Sequence, residues 1–154
     1  MAGTGARRAQ APKRLLIRYE AITPGALAVT TTPEVFEDGS ASVLLLDSDS
    51  DDREMYTDYL REHGFVVIVV GNTDDALRLM RTTTAFVTGL LVPGSMEALD
   101  LIRQARREFR RLPIVVVTAL SAKMSEAEQA GANAVLLKPC LPDLLLNELQ
   151  TRFV

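Results

Sequence analysis

Residues 43–54 read Val43-Leu44-Leu45-Leu46-Asp47-Ser48-Asp49-Ser50-Asp51-Asp52-Arg53-Glu54. Four apolar residues without polar alternation suit a strand covered on both faces. An acidic turn follows. Ser50 then reads as a helix cap, with Asp51 and Asp52 in the first turn, where the positive end of the helix dipole favours carboxylates. The predicted helix buries Met55, Tyr59 and Leu60 and stops near Gly64. A covered strand, a tight turn and a helix make one βα unit.

The same unit recurs down the chain. Further apolar runs stand at 65–70, 86–92, 114–117 and 134–137. Between them, Asn72 or Thr73 caps a second helix with Ala76, Leu77 and Met80 inward. A third is expected over 97–111. A fourth spans about 122–130 and ends on Gly131, a residue suited to a helix C-terminus. The fifth starts at Pro142 and buries Leu145 and Leu149. Five strands in strict alternation with five helices, joined by right-handed crossovers, give an α/β doubly wound parallel sheet. Such sheets work at the carboxyl ends of their strands, where strand order reverses. That rule selects Asp47, Ser48, Asp49, Gly89, Thr118, Ala119 and Lys138.

The rest of the composition narrows the class. The chain has 154 residues, 47% apolar and 24% charged, enough for one ordinary domain. No window approaches eighteen apolar residues, so no membrane partner is expected. The opening residues lack a continuous apolar stretch and do not read as a secretory signal. One cysteine, Cys140, excludes an internal disulfide, and with one histidine, His63, excludes multi-Cys or multi-His metal sites. A reducing, cytoplasmic setting fits. Residues 1–41, with Pro24-Gly25, Pro33 and Gly39, read as a flexible extension before a domain at 42–154. The extension holds five basic and four acidic side chains, and the remainder twelve and sixteen. An acidic body disfavours nucleic acid as a partner.

Four motifs in order resemble the response-regulator receiver (CheY-like) family of two-component signalling. They are the stretch 43–54, Leu91-Val92-Pro93-Gly94, Leu112-Pro113-Ile114-Val115-Val116-Val117-Thr118-Ala119, and Ala130-Gly131-Ala132-Asn133-Ala134-Val135-Leu136-Leu137-Lys138-Pro139. The resemblance implies a flavodoxin-like fold, sheet order 2-1-3-4-5, and a phosphorelay function exerted through protein partners such as a histidine kinase or an effector. In that family two acids after strand one and an aspartate ending strand three hold Mg²⁺. The strand-three aspartate takes the phosphoryl group, and a lysine and a hydroxyl residue contact it.

Carried over position by position, Asp47 matches the first acid and Ser48 the second. Thr118 matches the hydroxyl residue, with Ala119 after it. Lys138 matches the lysine, and Pro139 the proline that follows a characteristically cis peptide. Val135 stands where the family usually has an aromatic. Counting four back from Pro93 puts Gly89 at the phosphoacceptor position, and no aspartate occurs between Asp75 and Asp100. The resemblance thus implies a degenerate pseudo-receiver, not an enzyme, that acts by protein–protein interaction. Mg²⁺ is not expected, beyond weak binding by Asp47 and Asp49. Lys138, without a strand-three carboxylate, is expected to pair with Asp47. Since the chain ends just after the fifth helix, a stand-alone regulator is expected.

Two surfaces are candidate partner sites. Arg103, Arg106, Arg107, Arg110 and Arg111 fall on one stripe of the third predicted helix. Leu146, on a leucine-rich fifth helix, is expected to stay exposed on the face of the fourth helix, fifth strand and fifth helix, a candidate homodimer surface. The alternatives are a receiver phosphorylated elsewhere, on Thr88, Ser95 or Asp49, and an anion- or nucleic-acid-binding module using the arginine stripe with Arg7, Arg8, Lys13 and Arg14. His63 is expected at the surface, and Cys140 half-buried.

Overall fold

A computed structural model of the chain describes residues 41–152. The expected extension therefore lies, Ala41 apart, outside the described residues. The described chain runs β1 (Ser42–Leu46), α1 (Ser50–Glu62), β2 (Val66–Val70), α2 (Thr73–Leu79), β3 (Ala85–Thr88), α3 (Ala98–Glu108), β4 (Ile114–Thr118), α4 (Met124–Ala130), β5 (Ala134–Leu137) and α5 (Pro142–Arg152). Single 3₁₀ turns follow α2 (Met80–Thr82) and precede α4 (Ser121–Lys123). The five strands pair in parallel in the order β2-β1-β3-β4-β5. This is the flavodoxin-like α/β fold expected.

The sheet divides two apolar layers. Leu44, Leu46, Phe86, Ile114 and Val116 point to α2, α3 and α4, where they meet Ala76, Met80, Leu101, Ile102 and Ala105. Val43, Leu45, Val87, Val115 and Val117 point to α1 and α5, where they meet Tyr56, Leu60, Leu145 and Leu149. Strands β1, β3 and β4 are therefore apolar on both faces, because helices cover both.

Several elements differ in detail from expectation. The third strand stops at Thr88, four residues early. The Gly89 N–H still donates to Leu46 O, but Pro93 has no N–H, and at Gly94 φ is +139°, so the chain leaves the sheet. Asp49, not Ser50, caps α1; its side chain accepts from the Asp52 N–H. α1 turns Tyr56, Thr57 and Leu60 inward and leaves Met55 37% exposed, because Tyr56 finds a buried acceptor in the Cys140 carbonyl at 2.9 Å. Asn72 is the cap of α2. The α4 segment begins as a 3₁₀ turn and becomes α-helical at Met124.

α3 ends at Glu108 rather than 111. Beyond it, the Arg106 guanidinium bends inward and donates to the carbonyls of Arg110, Leu112 and Gly131 and to Asn133 Oδ1. Burial depresses its pKa. The five arginines therefore form no continuous stripe: Arg106 is a structural tie, Arg103 pairs with Asp100, and Arg110 and Arg111 lie past the helix. Leu146 is also a correction. It is 8% exposed, within the α1–α5 layer, while its neighbours Leu141 and Leu144 are exposed. Three consecutive leucines span over half a helical turn, and α5 buries the two nearest the sheet. Cys140 is buried, and His63 is exposed and stacks on Tyr59.

Candidate functional site

β1 ends by delivering Asp47 to the carboxyl edge of the sheet. The residue is 4% exposed. Its Oδ1 accepts from the Asp49 N–H at 3.0 Å, and its carbonyl accepts from Arg53 Nη1 at 2.9 Å. β5, separated from β1 by β3 and β4, delivers Lys138. The Lys138 N–H donates to Thr118 O at 2.8 Å, and the Lys138–Pro139 peptide is cis. From there the ammonium reaches back: Nζ lies 3.2 and 3.1 Å from the two Asp47 oxygens and 2.8 Å from Asp52 Oδ2.

Asp52 is the site residue that the sequence alone does not reveal: its position marks it only as a helix-start acid. It sits in the first turn of α1, and helical side chains lean toward the helix N-terminus. That lean carries its carboxylate over the pocket. Asp49, expected as a second carboxylate, instead spends its side chain on the cap, and the Asp52 N–H lowers its pKa. Ser48 and Ala119 are exposed.

Two carboxylates flank one ammonium, so the pocket is net negative and internally paired. Burial alone would push the Lys138 ammonium down. The hydrogen bonds and charges of Asp52 and Asp47 outweigh it and hold the ammonium above its ordinary value. Thr118 is buried at the end of β4, where its hydroxyl oxygen accepts from the Leu120 N–H at 3.1 Å. Gly89 directly follows β3. A Cβ built there would meet Val117 O at 3.6 Å and Val92 Cγ1 at 3.9 Å, ordinary contacts. The Thr88 hydroxyl is fully buried and donates to Gly89 O. Ser95 is exposed, and its hydroxyl and N–H both donate to Asp74, which lowers the Asp74 pKa.

The fold agrees with the comparisons. The family described as Response regulator receiver domain matches residues 43–150. The chain belongs to the response regulator receiver family. Among curated relatives, the receiver is 31% identical over 115 residues to the alginate biosynthesis transcriptional regulatory protein AlgB of Pseudomonas putida, covering 73% of this chain and 26% of that one. The chain thus spans about a quarter of the length of the curated relatives it matches. Among solved structures, the chemotaxis response regulator CheY4 of Vibrio cholerae superposes with a TM-score of 0.66 at 24% identity, covering 73% of this chain and 98% of that chain. The Francisella response regulator 1452 receiver domain gives 0.68 at 21%, covering 74% and 97%. Both carry the fold. In the described part of this receiver no helix is long and apolar enough to cross a membrane.

Proposed function

We propose that this receiver domain signals by protein–protein contact without being phosphorylated at the family's usual position. The observation that carries the reading is the pocket's composition: the residue leaving β3 is Gly89, no aspartate occurs between Asp75 and Asp100, and the Lys138 ammonium is taken up by Asp47 and Asp52. A glycine offers no oxygen nucleophile. The alternative acceptors gain no support from their surroundings. Thr88 is sealed in the core, Asp49 is committed to its cap, and Ser95 already donates to a carboxylate.

Mg²⁺ does not suit the residues present. The ion wants near-octahedral oxygen ligands, usually including one or two free carboxylates. Here both pocket carboxylates hold the ammonium, and the remaining nearby acid caps a helix. Among the described residues no cluster of three His, Cys, Asp or Glu could hold a metal. In this reading Lys138 is a built-in counter-cation that keeps the pocket in one arrangement.

The test is incubation with acetyl phosphate and Mg²⁺, followed by intact mass. No adduct is expected. A base-labile gain of about 80 Da would overturn the proposal.

A further inference from the structure

The ten arginines of the described residues divide sharply. Six are engaged: Arg53, Arg61, Arg78, Arg103, Arg106 and Arg152 each reach a carboxylate or a carbonyl. Four make no hydrogen bond or ion pair among the described residues: Arg81, Arg107, Arg110 and Arg111, all exposed. These four share one place in the fold, at the amino ends of the strands, opposite the lysine pocket. Arg81 lies in the 3₁₀ turn that leads into β3. Arg107 is in the last turn of α3, and Arg110 and Arg111 lead into β4. The acid beside them, Glu108, already accepts from Gln104.

The chain enters the sheet at the same end. The Ser42 N–H donates to Thr84 Oγ1 at 2.7 Å, and the Thr84 hydroxyl and N–H return to Ser42. Thr84 is three residues from Arg81. One strand further, the Phe86 N–H donates to Pro113 O, two residues after Arg111. With strands about 4.8 Å apart, the start of β4 lies about 10 Å from the start of β1. Immediately upstream of this entry point the sequence reads Glu34-Val35-Phe36-Glu37-Asp38. At about 3.5 Å per extended residue, Asp38 reaches up to about 14 Å from Ser42 and Glu34 about 28 Å. A tether of that length bounds the separation of these three carboxylates from the four guanidiniums and so sets a high effective concentration for any contact between them.

We propose that the acidic run at 34–38 seats in cis on Arg81, Arg107, Arg110 and Arg111. The proposal is independent of the phosphorylation state of the lysine pocket. A nucleic acid is the weaker occupant: four guanidiniums fall short of the roughly six to ten phosphate contacts of a DNA-binding surface, and the described body is net negative.

The experiment is arginine modification of the full chain by phenylglyoxal, mapped by peptide mass spectrometry. The native chain is compared with the Glu34→Lys/Glu37→Lys/Asp38→Lys variant and with the milder Glu34→Gln/Glu37→Gln/Asp38→Asn variant. At low salt, Arg107, Arg110 and Arg111 are expected to react several-fold faster in both variants, with Arg103 unchanged as an internal standard. The difference should not depend on protein concentration and should vanish at 1 M salt, where screening shortens to about 3 Å. Equal rates in the native chain and both variants would overturn the proposal. Protection that grows with protein concentration would assign the patch to a second copy and overturn it as well. So would duplex DNA that protects these arginines equally in the native chain and the milder variant.

Discussion

Replacing Lys138 with methionine keeps the length of the side chain and removes its charge. The ammonium sits 3.1 Å from Asp47 and 2.8 Å from Asp52. At an effective dielectric near 20, a unit pair about 3 Å apart attracts by about 5 kcal/mol before desolvation is set against it. What the substitution exposes is the other half of the balance: the carboxylate of Asp47, almost fully buried, is left beside a second carboxylate with no ion-pair partner, the Arg53 guanidinium being held at the Asp47 backbone carbonyl. Breaking a buried pair by removing one partner costs about 3–5 kcal/mol. Asp52 retains 30% side-chain exposure, so water relieves part of the loss. We expect the lower end, about 3 kcal/mol at pH 7, or a melting point about 10 °C lower for a domain this size. The chain has no tryptophan, so urea unfolding is followed by far-UV circular dichroism. Asp47→Asn completes a double-mutant cycle, in which the pair should show a coupling above about 1 kcal/mol. A Lys138→Met variant within about 0.5 kcal/mol of the native chain, or strict additivity with Asp47→Asn, would refute the idea that this cation holds the pocket together.

Three further outcomes follow from local geometry. Gly94→Ala should cost at least about 3 kcal/mol, because φ is +139° and the new Cβ would lie on Thr73 Oγ1, whereas Gly89→Ala, with ordinary contacts, should stay within about 1 kcal/mol; equal melting points for the two would contradict this. Among the described residues Thr57 Oγ1 is buried without a hydrogen-bond partner, so Thr57→Val should raise stability by about 1 kcal/mol, and a lower urea midpoint would count against it. The Lys138 ammonium and the buried Tyr56 phenol are both held above their ordinary values, Tyr56 by burial first and then by Cys140 and the nearby acids. Each contribution is present in full below the ordinary value, about 10, and is lost as pH climbs beyond it, so stability should be level from pH 7 to 9 and fall in stronger alkali. Stability that rises across that alkaline range would be incompatible with both shifts.

How far the sequence could be read depends on what each feature needs. The five strands were legible as continuous apolar runs; β1, β3 and β4 are covered on both faces, and β5, though only partly buried, matches its expected bounds. The pairing of Lys138 with Asp47 was legible only through the family resemblance, which leaves the lysine without a strand-three carboxylate at Gly89. Phase around a helix was harder. In α1 the choice between Met55 and Tyr56 turned on a hydroxyl acceptor 84 positions away, in the Cys140 carbonyl, which no local pattern contains. Leu144, Leu145 and Leu146 offer no polar neighbour to mark the wet side, so Leu146 was placed outward and proves buried. Arg106 belongs with its stripe by spacing, yet the carbonyls left open past α3 draw it in. Asp52 was read for its effect on the helix dipole, and its second use required knowing where β5 ends.

The hydrogen bond from Tyr56 to the Cys140 carbonyl has a mechanical consequence. It fastens the middle of α1 to the turn just after the lysine, while Asp52, one turn earlier on the same helix, grips the lysine itself. The outer surface of α1 and the pocket are thereby joined at two points, like a handle bolted to a drawer. A protein that grasped Met55 and its exposed neighbours would feel how firmly that drawer is shut.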